Sequence, residues 1–438
     1  MGVVLTIRML ICSLCLLATT VAAGTVSEMP RIVVDRSGQR AVFRAGAGGP
    51  EFVVRGVNFV RLRRGDHATF EAVPLEAKAG ESATQANGDC YDPQKAEEML
   101  AFLQSSGLNT VRVFIIGRNT ANPGIAGPAD STAALYEPYM ANVLDFLARA
   151  RNHGIYVLPT FGDGELPRND YFRKRFGGGG NRLYLTSEGI AAKREYVCEF
   201  LRYIQSRRPE LMGTLLGVQM QNELNLDGKG WPFDQKSGTI TTANGKSYDL
   251  ANGKQRQALM DDGIVFYLDT MASAVRGVDP DMLVCEGIFT MRAVGKDPAK
   301  DIGPGPEFAG DRRWPPTLET LSRSKLDFLD VHFYRTRKDE TVADAFSRDM
   351  ETVRFSGATA AAILKGKPVI LGEFGAFRFA DPTWASACGN LLAIRDEAIR
   401  RGMSGWLLWT YDTFEQKELI PGMTGGGEFL RKLGAENK

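Results

Sequence analysis

Short apolar runs and longer amphipathic stretches alternate along this chain. The runs are too short for helices and end on Gly, Asn, Pro or a turn. They read as buried strands at Val54 to Asn58, Asn109 to Ile115, Tyr156 to Thr160, Thr214 to Gln221, Met282 to Glu286, Asp327 to Phe333, Pro368 to Gly372 and Gly405 to Thr410. Between them, apolar positions recur at helical spacing over Pro93 to Ser105, Tyr136 to His153, Ile190 to Arg207, Ala258 to Val275 and Ala385 to Arg401. Strands alternating with helices predict parallel neighbours joined by crossovers, and this number of strands predicts a closed sheet: α/β, a (β/α)8 TIM barrel. Ahead of the first barrel strand, Arg31 to Val34, Arg40 to Phe43 and Phe52 to Val54 read as short strands of an antiparallel cap on the barrel floor.

The connections are unequal. Long segments follow the strands, at Arg61 to Tyr91, Gly117 to Ala134, Phe161 to Ser187, Leu224 to Gln255 and Gly287 to Pro316, whereas those preceding a strand are short, as at Ser106 to Leu108 and Lys365 to Lys367. In a barrel of this kind the long post-strand loops build the functional face. In the fourth long loop, Ala243-Asn-Gly-Lys246 recurs as Ala251-Asn-Gly-Lys254. Each Asn-Gly favours a primed turn, which predicts a small hairpin at the cleft rim.

Two strands run out into an acid. The fourth delivers Asn222 and Glu223, and Lys367-Pro-Val-Ile-Leu-Gly-Glu-Phe-Gly-Ala376 delivers Glu373. Two glutamates at the carboxyl ends of parallel barrel strands face one cleft, which is how paired carboxyls are set across a glycosidic bond. Arg112 stands alone in the apolar second strand, and a buried arginine needs an acid partner. Asp330-Val-His-Phe-Tyr334 ends the sixth strand and alternates His332 and Tyr334 onto one face. In the eighth, Trp406 and Trp409 are three apart and therefore face opposite sides, Trp406 toward the core.

Composition narrows the partners. Lys plus Arg number 53 against 52 acids, so no basic surplus exists to attract nucleic acid or anionic lipid. Met1 to Ala23 carries Arg8, an uncharged apolar stretch from Met9 to Ala22, and Val21-Ala-Ala23 before Gly24. It reads as a secretory signal peptide whose apolar core is short for a membrane span, with an uncleaved anchor as the alternative. Residues 24–438 then form a single catalytic domain, secreted or periplasmic and monomeric. Cys12 and Cys15 leave with the signal, and Cys90, Cys198, Cys285 and Cys388 read as buried free thiols. The three histidines, His67, His153 and His332, lie far apart in sequence and make no metal motif.

With these motifs the chain resembles the clan A glycoside hydrolases, most closely family 5, the cellulase and mannanase family. The resemblance covers nearly all of residues 24–438 and is strongest at strands four, six, seven and eight. It implies that Glu223 is the acid/base and Glu373 the nucleophile. It also implies that Asn222 holds the sugar 2-hydroxyl, Arg112 supports the nucleophile, His332 contacts sugar or acid, Tyr334 donates to the nucleophile, and Trp409 stacks on a sugar ring. Burial beside the partner's charge is expected to keep Glu223 protonated, while positive neighbours keep Glu373 ionised. The family usually ends its third strand on histidine; here Tyr156-Val-Leu-Pro-Thr-Phe-Gly-Asp163 has none, so either Asp163 or Phe161 takes its place or the chain belongs to a divergent branch. Asn58, ending the first strand, is expected to be structural.

These expectations describe a retaining hydrolase of a β-linked glucan or mannan that needs no cofactor, with an oligo- or polysaccharide as its partner. Trp231, Trp314 and Trp384 are candidates for further sugar subsites. Two rivals share the barrel: a carbohydrate-binding protein without activity, and an enolase-type metal lyase, for which acids at strand ends beyond Glu286 and the Glu pair are too few.

Overall fold

β-branched and aromatic residues in runs of this length extend rather than coil, and with both faces covered they are apolar nearly throughout. The protein's structure is a computed structural model that describes residues 29–60, 69–72, 90–117, 123–162, 166–290, 312–411 and 427–435. Its barrel strands are β1 Val54–Phe59, β2 Thr110–Phe114, β3 Tyr156–Thr160, β4 Val218–Gln219, β5 Val284–Phe289, β6 Phe328–Tyr334, β7 Val369–Gly375 and β8 Gly405–Leu408. Each pairs in parallel with the next, and β8 closes onto β1 from Gly405↔Val54 to Leu408↔Val57. This is the (β/α)8 barrel the sequence predicts. The fourth strand is the shortest: Pro209–Thr214 coils into a 3-10 turn, leaving Val218–Gln219 in the ladder of a run expected from Thr214 to Gln221.

The floor is plugged. Ile32–Asp35 and Val42–Ala45 pair antiparallel, and Phe52 N–H donates to Phe43 O at 2.8 Å. Ile32 and Phe43 then pack with Val54, Tyr156, Phe328 and Ile370 from the amino ends of the barrel strands. Phe43 meets Phe328 edge-on at 5.1 Å. Closing this end in apolar contact leaves the opposite end for polar chemistry.

Helices cover the outside, among them Pro93–Ser105, Glu137–Asn152, Ser187–Arg207, Gly253–Val278 and Trp384–Arg400. Pro93 stands at the first position of its helix, where its missing N–H costs nothing, and the Asp92 side chain accepts from the N–H groups of Gln94 and Lys95. Of the two Asn-Gly pairs, Asn244-Gly245 does turn a hairpin between Thr239–Thr241 and Ser247–Asp249, with Gly245 at φ 75°. The second does not turn: Asn252 caps helix Gly253–Val278 by accepting from Lys254 and Gln255 N–H. No helix of the described residues is long and apolar enough to cross a membrane. The expected signal segment and its cysteines lie outside the described residues; Cys198, Cys285 and Cys388 are free thiols, and Cys90 and Cys388 are only half-buried.

Candidate active site

Alternation along β6 divides its side chains. Leu329, Val331 and Phe333 join the apolar layer under the helices, while Asp330, His332 and Tyr334 take the other face. On β2, Val111 and Val113 likewise go outward, which sends the fully buried Arg112 into the barrel.

Plain alternation would put Glu373 on the same outward face as Val369 and Leu371. The pairing with β6 passes from Val331↔Leu371 to His332↔Glu373 and skips Gly372, and the pairing with β8 is interrupted over the same residues. This bulge turns Glu373 inward. Glycine is required there, since a Cβ on residue 372 would lie 1.9 Å from Asp330 Oδ1, the atom that accepts the Gly372 N–H at 2.7 Å.

Arg112 organises the floor of the site. It donates to Glu373 Oε1 at 2.7 Å, to Asn58 Oδ1 at 2.7 Å, to Gln219 Oε1 at 2.6 Å and to Asn222 Oδ1 at 2.7 Å. Leaving a guanidinium buried this deeply without such partners would cost several kcal/mol (~3–5). The opposite oxygen of Glu373, Oε2, accepts from the Tyr334 hydroxyl at 2.8 Å and lies 3.3 Å from His332 Nδ1. That ring nitrogen also lies 3.0 Å from Glu223 Oε1, and His332 Nε2 lies 3.4 Å from Asp330 Oδ2.

The histidine thus faces carboxylates at both nitrogens. Burial opposes its charge, but Glu373 and Asp330 outweigh that cost and push its pKa up to about 10, which makes it an imidazolium at neutral pH. Burial raises the Glu373 carboxyl, as does Glu223, against His332, Arg112 and Tyr334. Two cations and a hydroxyl donor converge on Glu373, and the His332 proton depends on its charge, so the carboxylate is the form that fits this site. Burial also holds the Tyr334 hydroxyl well above its usual range, as a neutral donor.

The burial expected of Glu223 is not found. Glu223 was to be the buried acid, yet its side chain is 24 % exposed and that of Glu373 only 4 %. Glu223 stands past the end of the short β4, in the opening, whereas the bulge draws Glu373 into the barrel.

Among the described residues, Glu223, His332 and Glu373 are the one His/Cys/Asp/Glu grouping close enough to share a cation, each offering an atom within 4.8 Å of the others. The imidazolium and the Arg112 charge beside it disfavour a further cation there. Glu286 is no part of this cluster; it is fully buried, and the charge nearest in effect is Lys193 on helix Ser187–Arg207.

The seven site residues expected from sequence therefore converge, with Trp409 on the wall beside Val60, Phe114 and Tyr334, its ring edge-on to Phe114 at 5.8 Å and 81°. Trp406 packs in the core against Phe374. Phe161 does not stand in for the absent strand-three histidine, because it is buried between Tyr196 and Phe200 at 5.2 and 5.1 Å. Asp163 lies outside the described residues. Of the tryptophans named for further subsites, Trp314 is buried against Phe233, Trp231 carries Arg182 over its ring at 4.2 Å, and Trp384 packs edge-on to Phe429. Each ring thus packs on a different segment of the chain, with Trp314 buried and Trp231 and Trp384 half-buried.

Sequence reasoning missed Gln219 and the part taken by Asp330. Gln219 joins the two halves of the network, accepting from Arg112 and donating to Asp330 Oδ2 at 2.7 Å. A lone polar residue between Val218 and Met220 was the available signal. Asp330 ties the Gly372 backbone to the His332 ring, and its own carboxyl is held below the usual range by His332, Arg112 and Gln219 against its burial. In Asp330→Asn the imidazolium keeps Glu373 and Glu223 but loses its third carboxylate. Proton–nitrogen NMR across the three histidines should show His332 titrating about one unit or more lower than in the parent protein. An unmoved His332 titration would show that Asp330 does not set its charge.

No protein-family model and no curated protein matches the chain. Solved structures do match in fold. The endo-1,4-β-mannanase of Rhizomucor miehei aligns at 16 % identity with a TM-score of 0.52, covering 86 % of this chain and 90 % of that one. The endo-β-1,4-mannanase of Thermotoga petrophila aligns at 13 % with a TM-score of 0.54, covering 88 % and 77 %. A GH5-4 broad specificity endoglucanase from an uncultured bacterium aligns at 13 % with a TM-score of 0.51, covering 87 % and 93 %. At such identities the likeness is one of fold, a (β/α)8 barrel.

Proposed function

We propose that the protein is a retaining glycoside hydrolase that cleaves a β-linked glycan of mannan or glucan type by double displacement. The observation that carries this reading is the Glu223–Glu373 pair, with carboxylate oxygens within 4.8 Å of each other at the carboxyl end of the barrel. Retaining enzymes hold their carboxyls about 5–5.5 Å apart, whereas inverting ones leave about 6.5–9.5 Å for a water. The barrels of mannanases and an endoglucanase, similar in fold, support the substrate class.

In this reading Glu373 attacks the anomeric carbon while Glu223 gives its proton to the departing glycosidic oxygen. The covalent glycosyl ester is then attacked by a water that Glu223 deprotonates, which frees Glu373. Arg112, His332 and Tyr334 hold the nucleophile ionised and aimed before substrate arrives, so little reorganisation is needed as charge moves. Asn222, whose Oδ1 accepts from Arg112, offers its amide as a donor to the sugar 2-hydroxyl. Trp409 supplies an apolar face for the C–H side of the ring. The enzyme is read as one catalytic domain over residues 24–438, exported by its amino-terminal segment and acting as a monomer.

Incubation with β-mannan, β-glucans and aryl β-glycosides, followed by proton NMR of the first product, tests the proposal. The β-anomer should form first and mutarotate afterwards. An α-anomer as first product would refute retention, and binding of glycans without any cleavage would favour a carbohydrate-binding protein.

A further inference from the structure

The turn that follows β7 carries an aromatic ring that the chemistry above does not use. Phe379 is 64 % exposed, the highest among the large apolar side chains of the described residues. Its ring lies nearly parallel to that of Phe377, at 5.3 Å and 10°, and Phe377 in turn packs on Tyr334 at 5.0 Å. Two ring-to-ring steps therefore lead from the partner of Glu373 to the rim.

This display is built rather than loose. Ala380 and Asp381 N–H both return to Phe377 O, at 2.9 and 2.8 Å, closing the turn. The buried Arg335 donates to Ala380 O at 3.3 Å and to Asp381 Oδ1 at 2.5 Å. The same guanidinium donates to Lys338 O at 2.8 Å and Glu340 O at 3.3 Å. One buried arginine therefore fixes both the turn bearing Phe379 and the segment after β6. Between them lies a hollow of about 540 Å³, lined by Phe379 and by Thr336, Arg337, Lys338, Asp339 and Glu340.

Resting on the glycosidase reading, we propose that Phe379 and this hollow form an accessory subsite for an uncharged pyranosyl residue of a longer β-glycan, beyond the sugars at the cleavage point. A single flat ring held to solvent matches the C–H face of a sugar. The wall beside it offers polar groups for hydroxyls, and its two basic and two acidic residues cancel, which favours a neutral ligand over a uronate or phosphate. Continuity with Tyr334 through Phe377 places the subsite on the path of a chain already threaded through the cleft. A lone ring beside a polar hollow is also unlike the broad apolar patch that a protein partner would cover.

Phe379→Ala and Phe379→Trp test the subsite, each alone and in a Glu373→Gln background, where manno- and gluco-oligosaccharides from disaccharide to hexasaccharide can be titrated calorimetrically without being consumed. Loss of one stacking face should weaken the hexasaccharide about 10-fold and leave the disaccharide unchanged. Turnover of an aryl glycoside should also be unchanged, and Phe379→Trp should restore hexasaccharide binding. Equal effects on short and long sugars, or none on the long ones, would overturn the subsite while leaving hydrolysis by the parent protein untouched. A dimer in light scattering that Phe379→Ala dissociates, with sugar binding intact, would assign the ring to self-association instead. If the parent protein neither binds nor cleaves any of these glycans, the glycosidase reading itself falls, and the subsite with it.

Discussion

Glu373→Ala is expected to abolish turnover, by about 10⁴-fold or more, as removing a covalent nucleophile does. The barrel should remain folded, because Arg112 keeps its hydrogen bonds to Asn58, Gln219 and Asn222 and only its charge partner is lost. Stability should still fall, by up to about 3–5 kcal/mol, since a buried cation is left uncompensated and Tyr334 loses its acceptor. Circular dichroism and a thermal melt separate this loss from unfolding. Azide occupies the vacated space and should restore cleavage of activated substrates, giving a glycosyl azide of inverted configuration. Undiminished hydrolysis by Glu373→Ala would exclude Glu373 as the nucleophile.

Glu223→Ala is expected to divide substrates by their leaving groups. Natural glycosidic oxygens depart poorly unless protonated, so their cleavage should fall by about 10²–10⁴-fold, the usual contribution of a positioned acid. An activated aryl glycoside needs no proton on departure and should form the glycosyl ester nearly as fast as with the parent protein. Its intermediate should then accumulate, because the base for the second step is also gone, and a burst of the aryl alcohol would reveal it. Little destabilisation should accompany these changes, because Glu223 stands in the opening and its loss removes one of three carboxylates around His332. Equal losses on natural and activated substrates would make Glu223 a structural residue.

The roles expected of Glu223, Glu373, Arg112, Asn222, His332, Tyr334 and Trp409 rest on motifs at strand ends, and such motifs are local. A run of apolar residues ending in Asn-Glu or Gly-Glu-Phe-Gly is legible because strand, chain reversal and polar side chain fall within a few residues. The candidacy of Trp231, Trp314 and Trp384 as further sugar subsites has no such local mark behind it. The sequence around an aromatic residue does not say which distant segment it meets, and Trp314 meets Phe233, Trp231 meets Arg182 and Trp384 meets Phe429 only in three dimensions. Phe379 drew no notice in the sequence, since its exposure depends on Arg335, more than forty positions upstream.

By itself, the sequence determined the barrel and the candidate residues that the fold gathers at one end of it. Alternation of short apolar runs with amphipathic stretches leaves few ways to bury both, and parallel strands closed by helices are the one that eight such runs satisfy. Only the tertiary structure decided which carboxyl is deep and which faces the opening, and so corrected the burial expected of Glu223. The physical reason is the bulge at Gly372. It exists because the Asp330 carboxylate, from the neighbouring strand, occupies the space a side chain at 372 would need, and it inverts the facing of Glu373 relative to Leu371. The charge on His332 was likewise decided there, by three carboxylates from β6, β7 and the end of β4 meeting around one ring. Periodicity within a strand fixes the order of its faces, but what stands across from each residue belongs to the register between strands.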